Sequence, residues 1–575
     1  MDFHFANAWE LIADAIPDAP ALICGDTQRS WREFEDRGAR LAAVLEAAGL
    51  GPDSKVGLYL HNCNEYTEAH FGAFKLGACP INANYRYQAE ELIYLLDNCD
   101  AEAVLFHGSF APRIDEIRAS LPKLKLLLQV ADESDAPLAG GALDYEEALA
   151  GVSPRPRAPR PGSDVYMIYT GGTTGMPKGV MYDNGSFAAS MCGGYPIRGL
   201  PLPESPEQLP DLVRKVHEMG AMPISMPACP QMHGTGMWIG TMIPLMLGGT
   251  VYTRRSPRFD ADELFRDVAA RRVTDLVIVG DAFARPMVAA LDAARDRGEP
   301  HDLSSLGMVI SSGVMWSAEV KQGLLAHKDM MLYDAMGSSE GSMGANVSNR
   351  ATPIETAKFM LGEGVKVFTE DDREVQPGSD EIGLVATAGL VPIGYYKDAD
   401  KSARTFRTVN GVRYSFPGDF ARVAADGTIT LLGRGSQVIN TGGEKVFTEE
   451  VEEAAKRHAA VDDCLVVGVP DERFGNRVVA VISLRDGPAP DDAASGGPAP
   501  GGPAPGGPAP GGPARGGVGS DGATPSDDEL RAVMREHLAG YKLPKVFVRV
   551  PAVQRAPNGK ADYKWAKAQA ASVAA

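Results

Sequence analysis

A stretch rich in glycine and hydroxyl side chains follows an apolar segment and offers chemistry for holding a phosphate. It reads Tyr-Thr-Gly-Gly-Thr-Thr-Gly-Met-Pro-Lys-Gly over residues 169–179. Glycines let the backbone approach a ligand closely, hydroxyls can donate hydrogen bonds, and successive amides can surround an anion. A lysine adds a positive charge. The candidate phosphate-binding residues are Thr170, Gly171, Gly172, Thr173, Thr174, Gly175 and Lys178.

The spacing of this stretch differs from that of a Walker A loop. Met176 and Pro177 separate Gly175 from Lys178, and proline is not tolerated inside a helix. A purely structural turn is the alternative interpretation, but the density of hydrogen-bond donors argues against it. We therefore expect an anion-binding loop of another kind.

Four further motifs follow in a fixed order along the chain. They are Tyr-Asp-Ala-Met-Gly-Ser-Ser-Glu at 333–340, Tyr-Ser-Phe-Pro-Gly-Asp at 414–419, Gly-Arg-Gly-Ser-Gln-Val-Ile-Asn at 433–440 and Pro-Asn-Gly-Lys at 557–560. With the phosphate-binding stretch, they resemble the motifs of the adenylate-forming superfamily, which includes acyl-CoA synthetases, luciferases and peptide-synthetase adenylation domains. The resemblance covers about Phe5 to Lys567 apart from a repeat segment described below.

Five positions depart from the usual pattern of that superfamily. Ser339 replaces a threonine, Met336 an aromatic residue and Pro417 a threonine. Gln437 stands where an acidic or basic hinge residue is usual, and Asn440 where lysine is common. We expect these changes to affect nucleotide binding and the hinge between domains.

The resemblance implies a nucleotide role for each matched residue in the first three-quarters of the chain. Glu340 and Thr170 would bind Mg²⁺, Ser339 would contact a phosphate, and Gly313 would lie beside the adenine and the acyl group. Asp419 would accept hydrogen bonds from the ribose hydroxyls, and Arg434 would reach the ribose or a phosphate. The adenine wall would comprise Asp334, Ala335, Met336 and Gly337.

The same resemblance assigns the residues of the reaction itself. Lys560 would be the catalytic lysine of adenylation, and His233 would lie beside the substrate carboxylate. A smaller domain would then rotate and expose a thin channel for coenzyme A. That channel would involve Gly442, Gly443 and Lys445. A solvent-exposed lysine and an ordinary structural histidine are the alternative interpretations of Lys560 and His233.

The predicted function is an ATP-dependent acyl-CoA synthetase that adenylates a carboxylic acid and transfers the acyl group to coenzyme A. Within the superfamily, the motifs look like those of bacterial enzymes acting on fatty acids or steroid side-chain acids. A fatty-acyl-AMP ligase, or an acid–thiol ligase for an aromatic carboxylate, is the main alternative. A serine hydrolase is a remote one, because Gly337–Gly341 formally matches G-x-S-x-G but no strand, turn and helix context follows.

Alternating strand and helix patterns must position these residues. Helices are predicted near Trp31–Leu50 and Glu65–Leu76, and strands near Val56–Leu60, Val165–Tyr169 and Met308–Ser311. The predicted fold is α/β: a large N-terminal domain (1–432) of stacked αβα sheets plus a small β-barrel, and a smaller mobile α+β domain (433–575). A Gly/Pro/Ala repeat inserted at about 487–524 is predicted to be disordered, because such a composition cannot form a core.

Composition excludes several functional classes. Lys and Arg total 56 against 75 Asp and Glu, which gives a net charge of −19, so nucleic-acid binding is not expected. Seven cysteines without a C-x-x-C pair argue against a disulfide framework or a zinc site. No transmembrane span or secretory signal is expected, and a cytoplasmic protein is predicted, which could form a homodimer. The expected partners are a small carboxylic acid, ATP and coenzyme A.

Overall fold

The computed structural model describes residues 1–170, 177–256, 258–352, 356–434, 438–441, 444–471, 475–485, 524–555 and 559–574. Two compact units divide the chain. Unit 1 is Met1–Glu374 with Val385–Pro417, and unit 2 is Val375–Leu384 with Gly418–Ala575. The predicted domain boundary at Gly433 and the mobility of the smaller domain stay predictions. The repeat insertion, apart from Thr524, lies outside the described residues.

Short strands recur along both units and alternate with helices in much of unit 1, as the sequence pattern predicts. Those of unit 1 are β1 (Pro20–Cys24), β2 (Thr27–Ser30), β3 (Lys55–Tyr59), β4 (Cys79–Asn82), β5 (Ala101–His107), β6 (Leu126–Val130), β7 (Leu143–Asp144), β8 (Val165–Thr170), β9 (Lys178–Asp183), β10 (Ile224–Pro227), β11 (Thr250–Thr253), β12 (Asp275–Ile278), β13 (Met308–Ser312), β14 (Met331–Ser338), β15 (Gly341–Ser348), β16 (Lys358–Leu361), β17 (Val365–Phe368), β19 (Gly394–Tyr395), β20 (Phe406–Val409) and β21 (Val412–Ser415). Strand β18 (Ile382–Thr387) begins in unit 2 and ends in unit 1. Those of unit 2 are β22 (Asp419–Val423), β23 (Ile429–Arg434), β24 (Val438–Thr441), β25 (Glu444–Phe447), β26 (Val461–Asp471), β27 (Gly475–Leu484) and β28 (Val546–Arg549).

The helices separate these strands. Those of unit 1 are α1 (Phe5–Ala15), α2 (Trp31–Ala47), α3 (Asn64–Leu76), α4 (Ala89–Asn98), α5 (Ala111–Ile117), α6 (Tyr145–Ala150), α7 (Asn184–Ser190), α8 (Gly194–Ile197), α9 (Leu209–Glu218), α10 (Ile243–Met246), α11 (Ala261–Arg271), α12 (Gly280–Asp296), α13 (Ala318–His327) and α14 (Ala399–Thr405), with a π-helix at Thr235–Met242. Those of unit 2 are α15 (Thr448–Lys456), α16 (Asp527–Arg535) and α17 (Tyr563–Ala574). Among the described helices, none is long and apolar enough to cross a membrane.

Two sheets of mainly parallel strands form the body of unit 1. The first has the order β2-β1-β11-β10-β12-β13-β14-β15-β16, and the run from β1 to β14 is parallel. The second, β4-β3-β5-β6-β7, is entirely parallel. A third, small sheet has the antiparallel order β19-β9-β8.

Three hydrophobic cores stack these layers. One core lies between the two large sheets and combines Leu22 and Val251 of the first with Leu58 and Leu105 of the second. A second core covers the outer face of the first sheet with α11, α12 and α13, and a third covers the second sheet with α4 and α5. Parallel strands covered by helices on both faces confirm the predicted α/β class.

Unit 2 is smaller and mixes helices with mainly antiparallel strands. Strand β22 pairs with β23 and with the start of β18. Strands β24 and β25 form a hairpin, and β26 pairs antiparallel with β27, which pairs parallel with β28. Helices α15 and α16 cover one face of the β26-β27-β28 sheet, and α17 covers the other.

Candidate active site

The predicted phosphate-binding stretch begins and ends on paired strands of the small sheet. Thr170 ends β8, Lys178 begins β9, and the two residues are partners in the antiparallel register. This pairing fixes both ends of the loop that the sequence predicts. Gly171, Gly172, Thr173, Thr174 and Gly175 lie outside the described residues.

A carboxylate holds the lysine of that loop. The Lys178 ammonium forms an ion pair with Asp398, whose second oxygen accepts a hydrogen bond of 3.1 Å from the Lys401 amide and caps α14. Hydrogen bonding to Lys178 lowers the pKa of Asp398, so this carboxylate is ionised at neutral pH. Sequence reasoning missed Asp398, because it lies 220 positions from Lys178.

The predicted Mg²⁺ ligand, Glu340, lies in the turn between β14 and β15. Its Oε1 accepts a hydrogen bond of 2.8 Å from the Tyr395 hydroxyl, and its amide donates to Ser338 Oγ. The neighbouring Ser339 carbonyl accepts a bond of 2.9 Å from the Tyr182 hydroxyl. Burial and the charge of Glu340 raise the Tyr182 pKa well above its ordinary value, so this hydroxyl remains a donor.

The donor set around Glu340 fits Mg²⁺ that arrives with a nucleotide. Among the described residues, no group of three or more His, Cys, Asp or Glu side chains could hold a metal alone. Mg²⁺ is commonly held by one or two carboxylates together with substrate phosphates and water. Glu340 has such a carboxylate, and the roles of Glu340 and Thr170 as Mg²⁺ ligands stay predictions.

The predicted adenine wall is the end of strand β14. Asp334 pairs with Ser311 and Ala335 with Ser312 in the parallel register of β13 and β14. Asp334 is buried, and its carboxylate accepts a bond of 2.7 Å from Lys321 of α13. Burial raises the Asp334 pKa, although the charge of Lys321 opposes this shift. Its side chain is therefore engaged with α13, and its backbone is the part that can line a nucleotide.

Gly313 follows β13 with a backbone φ of 90°, a conformation that L-residues with side chains rarely adopt. A side chain added there would face the Thr235 hydroxyl at 3.7 Å, at the start of the π-helix. His233 lies two residues before that helix; its amide donates to the Pro230 carbonyl, and its own carbonyl accepts from Met237. The structure thus brings Gly313 close to the segment that carries His233.

The methionines near His233 belong to the core. Met226, Met232, Met237 and Met242 are at most 2% exposed. They pack in the hydrophobic clusters of unit 1, whereas Trp238 is half-buried and donates a 2.8 Å bond to the Tyr166 hydroxyl. These four methionines are therefore core residues of unit 1.

The remaining predicted residues lie in unit 2. Asp419 is buried at the start of β22, and its register partner is Arg434 at the end of β23. Lys445 lies in β25 opposite Asn440, and Gly442 and Gly443 lie outside the described residues. Their predicted roles stay predictions.

Lys560 is exposed and follows a segment that is fixed at one end by a half-buried ion pair. Arg555 donates to Asp463 from Nε at 2.6 Å and from Nη2 at 2.7 Å, and its Nη1 donates to the Gly559 carbonyl at 3.2 Å. Burial alone would raise the Asp463 pKa, but the pairing with Arg555 outweighs it and lowers that pKa. The backbone next to Lys560 is thus anchored to β26.

Comparison with known proteins places these features in one family. The model of the AMP-binding enzyme family matches residues 9–395, and that of the AMP-binding enzyme C-terminal domain matches residues 450–495. The chain belongs to the AMP-binding enzyme family. The predicted class of activity, an AMP-forming acid–thiol ligase, is confirmed.

Two curated relatives align over nearly the whole chain. The medium-chain acyl-CoA ligase Mig of Mycobacterium avium is 39% identical over 97% of this chain and 96% of its own. The 3-oxocholest-4-en-26-oate–CoA ligase of Rhodococcus rhodochrous is 37% identical over 99% of this chain and 96% of its own.

A solved structure confirms the fold. ATP-bound MatB from Rhodopseudomonas palustris has a TM-score of 0.77 at 20% identity and covers 100% of both chains. At this identity, the likeness is one of fold alone. It agrees with the α/β architecture predicted from the alternating strands and helices.

Proposed function

We propose that this enzyme adenylates a large apolar carboxylic acid, a fatty acid or a steroid side-chain acid, and transfers the acyl group to coenzyme A. The observation that carries the proposal is an exposed apolar face on the first sheet of unit 1. We call it the apolar floor. Its members are Met331, Tyr333 and Ala335 of β14, Ala345 and Val347 of β15, and Met360 of β16.

The register of the strands supports the apolar floor as one surface. Tyr333 pairs with Val347, and Ala335 pairs with Ala345, which pairs with Met360. Directly paired residues point to the same face of a sheet. Met331, Val347 and Met360 are 37%, 48% and 62% exposed, which is unusual for large apolar side chains gathered on neighbouring strands.

The position of the apolar floor suits an acyl chain attached to an adenylate. The floor begins beside Gly337 and next to Ser312, the residue before Gly313. On the same face further along the sheet, Ser225 donates to the Gly240 carbonyl of the π-helix. An acid whose carboxylate lies near His233 and Gly313 could therefore extend its apolar part along β14–β16.

The names of the relatives support the same substrate class. Mig is a medium-chain acyl-CoA ligase, and the Rhodococcus enzyme acts on 3-oxocholest-4-en-26-oate. A more distant relative acts on a smaller acid: the 2,3-dihydroxybenzoate-AMP ligase of Bacillus subtilis is 30% identical over 82% of each chain. The exposed apolar floor favours the larger, apolar acids.

The chemistry follows from charge. A carboxylate repels nucleophiles and has no good leaving group, whereas its mixed anhydride with AMP is a strong acyl donor. Bringing two anions together requires positive charge, which Lys178 and Lys560 supply in this proposal. Mg²⁺ bound at Glu340 and Thr170 would neutralise part of the triphosphate charge. Coenzyme A is the proposed acceptor of the acyl group.

We also propose the cytoplasmic location that the sequence predicts. All seven cysteines are buried and free, as in proteins of a reducing compartment such as the cytoplasm. A homodimer remains a prediction.

Pyrophosphate release tests the function directly. The purified chain would be assayed with ATP and Mg²⁺ on octanoate, palmitate, a steroid side-chain acid and benzoate, each with and without coenzyme A. We expect turnover on the apolar acids that needs coenzyme A. A single burst independent of coenzyme A would instead identify a fatty-acyl-AMP ligase, and turnover on benzoate alone would contradict the apolar substrate.

A pair of substitutions tests the apolar floor. Met360→Glu places a charge on the apolar floor without disturbing the core. The control is Met219→Glu, which introduces the same charge away from the floor, at a residue that is 55% exposed at the end of α9. We expect Met360→Glu to raise the KM for palmitate by about tenfold, since burying a charge against an apolar chain is costly. Equal KM values in the two variants would contradict the assignment.

A further inference from the structure

A single asparagine connects the two segments on which the proposed adenylation depends. Asn82 is the last residue of β4, in the second sheet of unit 1. Its Oδ1 accepts a bond of 2.7 Å from the Tyr169 amide, and its Nδ2 donates to the Tyr169 carbonyl at 2.8 Å and to the Met232 carbonyl at 2.7 Å. Both amide hydrogens and the carbonyl oxygen of the side chain are thus engaged.

The place of β8 in its sheet explains why a side chain is needed there. In the order β19-β9-β8, strand β8 is at the edge, and Tyr169 pairs with Gly179 on its inner side only. An edge strand has outward amide and carbonyl groups without a neighbouring strand. The Asn82 side chain resembles a peptide group and satisfies both outward groups of Tyr169, as the next strand of a sheet would.

The two segments that Asn82 connects carry the proposed site residues. Tyr169 directly precedes Thr170, the first residue of the phosphate-binding stretch, and Met232 directly precedes His233. One rigid strand end therefore fixes the backbone next to both residues. Displacing reacting groups by about 1 Å can slow an enzyme by about a hundredfold.

We propose that Asn82 is a positioning residue for adenylation, which sets the position of the phosphate-binding segment relative to the segment that holds the acid. The inference rests on the proposed roles of Thr170 and His233. Asn82 itself does not contact the reacting atoms. Its effect on the reaction passes through the backbones of Tyr169 and Met232.

A second asparagine provides a matched control. Asn62 follows β3 in the same sheet; its Nδ2 donates to the Cys229 carbonyl at 2.9 Å, and its Oδ1 accepts from the Gln231 amide at 2.7 Å. Asn62 therefore holds the His233 segment as Asn82 does. Among the described residues, Asn62 forms its side-chain hydrogen bonds with the backbones of Pro227, Cys229 and Gln231, so its removal should loosen the acid side of the site alone.

The test compares Asn82→Ala, Asn62→Ala and His233→Ala with the wild type in acid-dependent pyrophosphate release. We expect Asn82→Ala to lower kcat by roughly tenfold or more and to raise the KM for both ATP and the acid. Asn62→Ala should raise the KM for the acid and leave the KM for ATP within about twofold. The Asn82→Ala/His233→Ala double variant should lose less than the product of the single losses, because the two residues act together.

Several results would overturn the inference. A lower melting temperature of Asn82→Ala with kinetic constants within about twofold of the wild type would show a purely structural role. A KM for ATP that changes equally in the Asn82 and Asn62 variants would exclude the link to the phosphate-binding segment. If Asn82→Ala does not fold, Asn82→Ser is measured in its place. The serine side chain is too short to bond both the Tyr169 and the Met232 backbones, so KM values for ATP and the acid equal to those of the wild type would exclude the proposal.

Failure of the proposed function would be visible separately. It would appear in the wild type as an absence of acid-dependent pyrophosphate release, before any substitution is compared. A wild type that turns over while Asn82→Ala keeps its KM values contradicts only the positioning role.

Discussion

The Tyr395 hydroxyl lies 2.8 Å from Glu340 Oε1 and donates a hydrogen bond to it. Tyr395 is buried in β19, which pairs with the strand that begins at Lys178. Three residues further on, Asp398 holds the Lys178 ammonium. The short segment from Gly394 to Asp398 thus contacts the proposed metal-binding carboxylate and the proposed phosphate-binding lysine.

Removing the Tyr395 hydroxyl should weaken Mg²⁺ binding. In Tyr395→Phe the ring stays packed against Phe406, but the carboxylate of Glu340 loses the bond that orients it. A hydrogen bond to a charged group contributes about 1.5–3 kcal/mol, so we expect the half-saturating Mg²⁺ concentration to rise by about tenfold. Calorimetric titration of ATP binding at several Mg²⁺ concentrations measures this, and an unchanged Mg²⁺ dependence would contradict the proposed role of Glu340.

Neutralising Asp398 should strengthen ATP binding. Asn at this position still caps α14 but no longer attracts the Lys178 ammonium away from a phosphate. We expect Asp398→Asn to lower the Kd for ATP by several-fold at low salt, with a smaller effect at high salt because ions screen partly exposed charges. Lys178→Met is the companion variant and should raise the Kd. Weaker ATP binding in Asp398→Asn would mean that Asp398 holds Lys178 in its binding position.

The buried pair of Lys321 and Asp334 should respond unequally to removal of either partner. Asp334→Asn leaves the Lys321 ammonium buried without its counter-charge and should cost about 3–5 kcal/mol of unfolding free energy. Lys321→Met should cost less at low pH, because burial already raises the Asp334 pKa and the acid can become neutral.

The raised pKa of Asp334 determines how the unfolding free energy of Lys321→Met should change with pH. A carboxyl whose folded pKa is raised contributes stability at low pH that is lost as the pH rises through that folded pKa. Urea unfolding of Lys321→Met from pH 5 to pH 8 should therefore show a steeper fall in stability than the wild type shows. Parallel pH profiles of the two proteins would contradict the prediction.

The raised pKa of Glu452 predicts that the protein loses stability at alkaline pH. Its Oε1 accepts bonds from the Val466 amide at 2.9 Å and the Tyr563 hydroxyl at 3.0 Å, and burial raises its pKa to about 8. The charge of Glu449 raises this pKa further, whereas Lys456 and Arg555 oppose the shift. The stabilising contribution of the neutral acid is complete below the ordinary pKa of 4.5 and is lost as the pH rises through about 8.

Glu452→Gln should remove that dependence. Glutamine keeps the accepting oxygen and cannot ionise, so its melting temperature should fall less than that of the wild type between pH 7 and pH 9. Thermal unfolding at matched ionic strength measures the difference. An equal fall in both proteins would show that Glu452 is already ionised at neutral pH.

Lys560→Ala should separate the two half-reactions. We expect it to lose most of its adenylation activity while it still forms thioester from supplied acyl-adenylate and coenzyme A, since the lysine would act only while pyrophosphate leaves. Arg555→Ala should show the same pattern in weaker form, because Arg555 anchors the Gly559 carbonyl next to Lys560. Equal losses in both half-reactions would contradict this division.

Local sequence patterns predict several of the elements in this chain. The predicted helix at Glu65–Leu76 is observed at Asn64–Leu76, and the predicted strand at Met308–Ser311 is observed at Met308–Ser312. Such elements follow from apolar periodicity, which is strong where one face of a helix or both faces of a strand are buried. The phosphate-binding stretch is equally local, because its glycines and hydroxyls are contiguous.

The contacts that hold the site are not local. Asp398 and Lys178 are 220 positions apart, and Asn82 and Met232 are 150 positions apart. Nothing in the composition around Asn82 distinguishes it from an ordinary loop asparagine. Its role depends on which strand edge the fold places beside it, and that depends on the packing of two sheets against each other.

The burial of every cysteine also bears on how this enzyme can be assayed. All seven thiols are buried, and burial raises the pKa of each of them, so that little thiolate is available to an external reagent. Coenzyme A carries an exposed thiol that an aromatic disulfide reagent titrates within seconds. The colour that such a reagent gives should therefore report the consumption of coenzyme A with little background from the folded enzyme, and a rising background would reveal that the protein is unfolding during the assay.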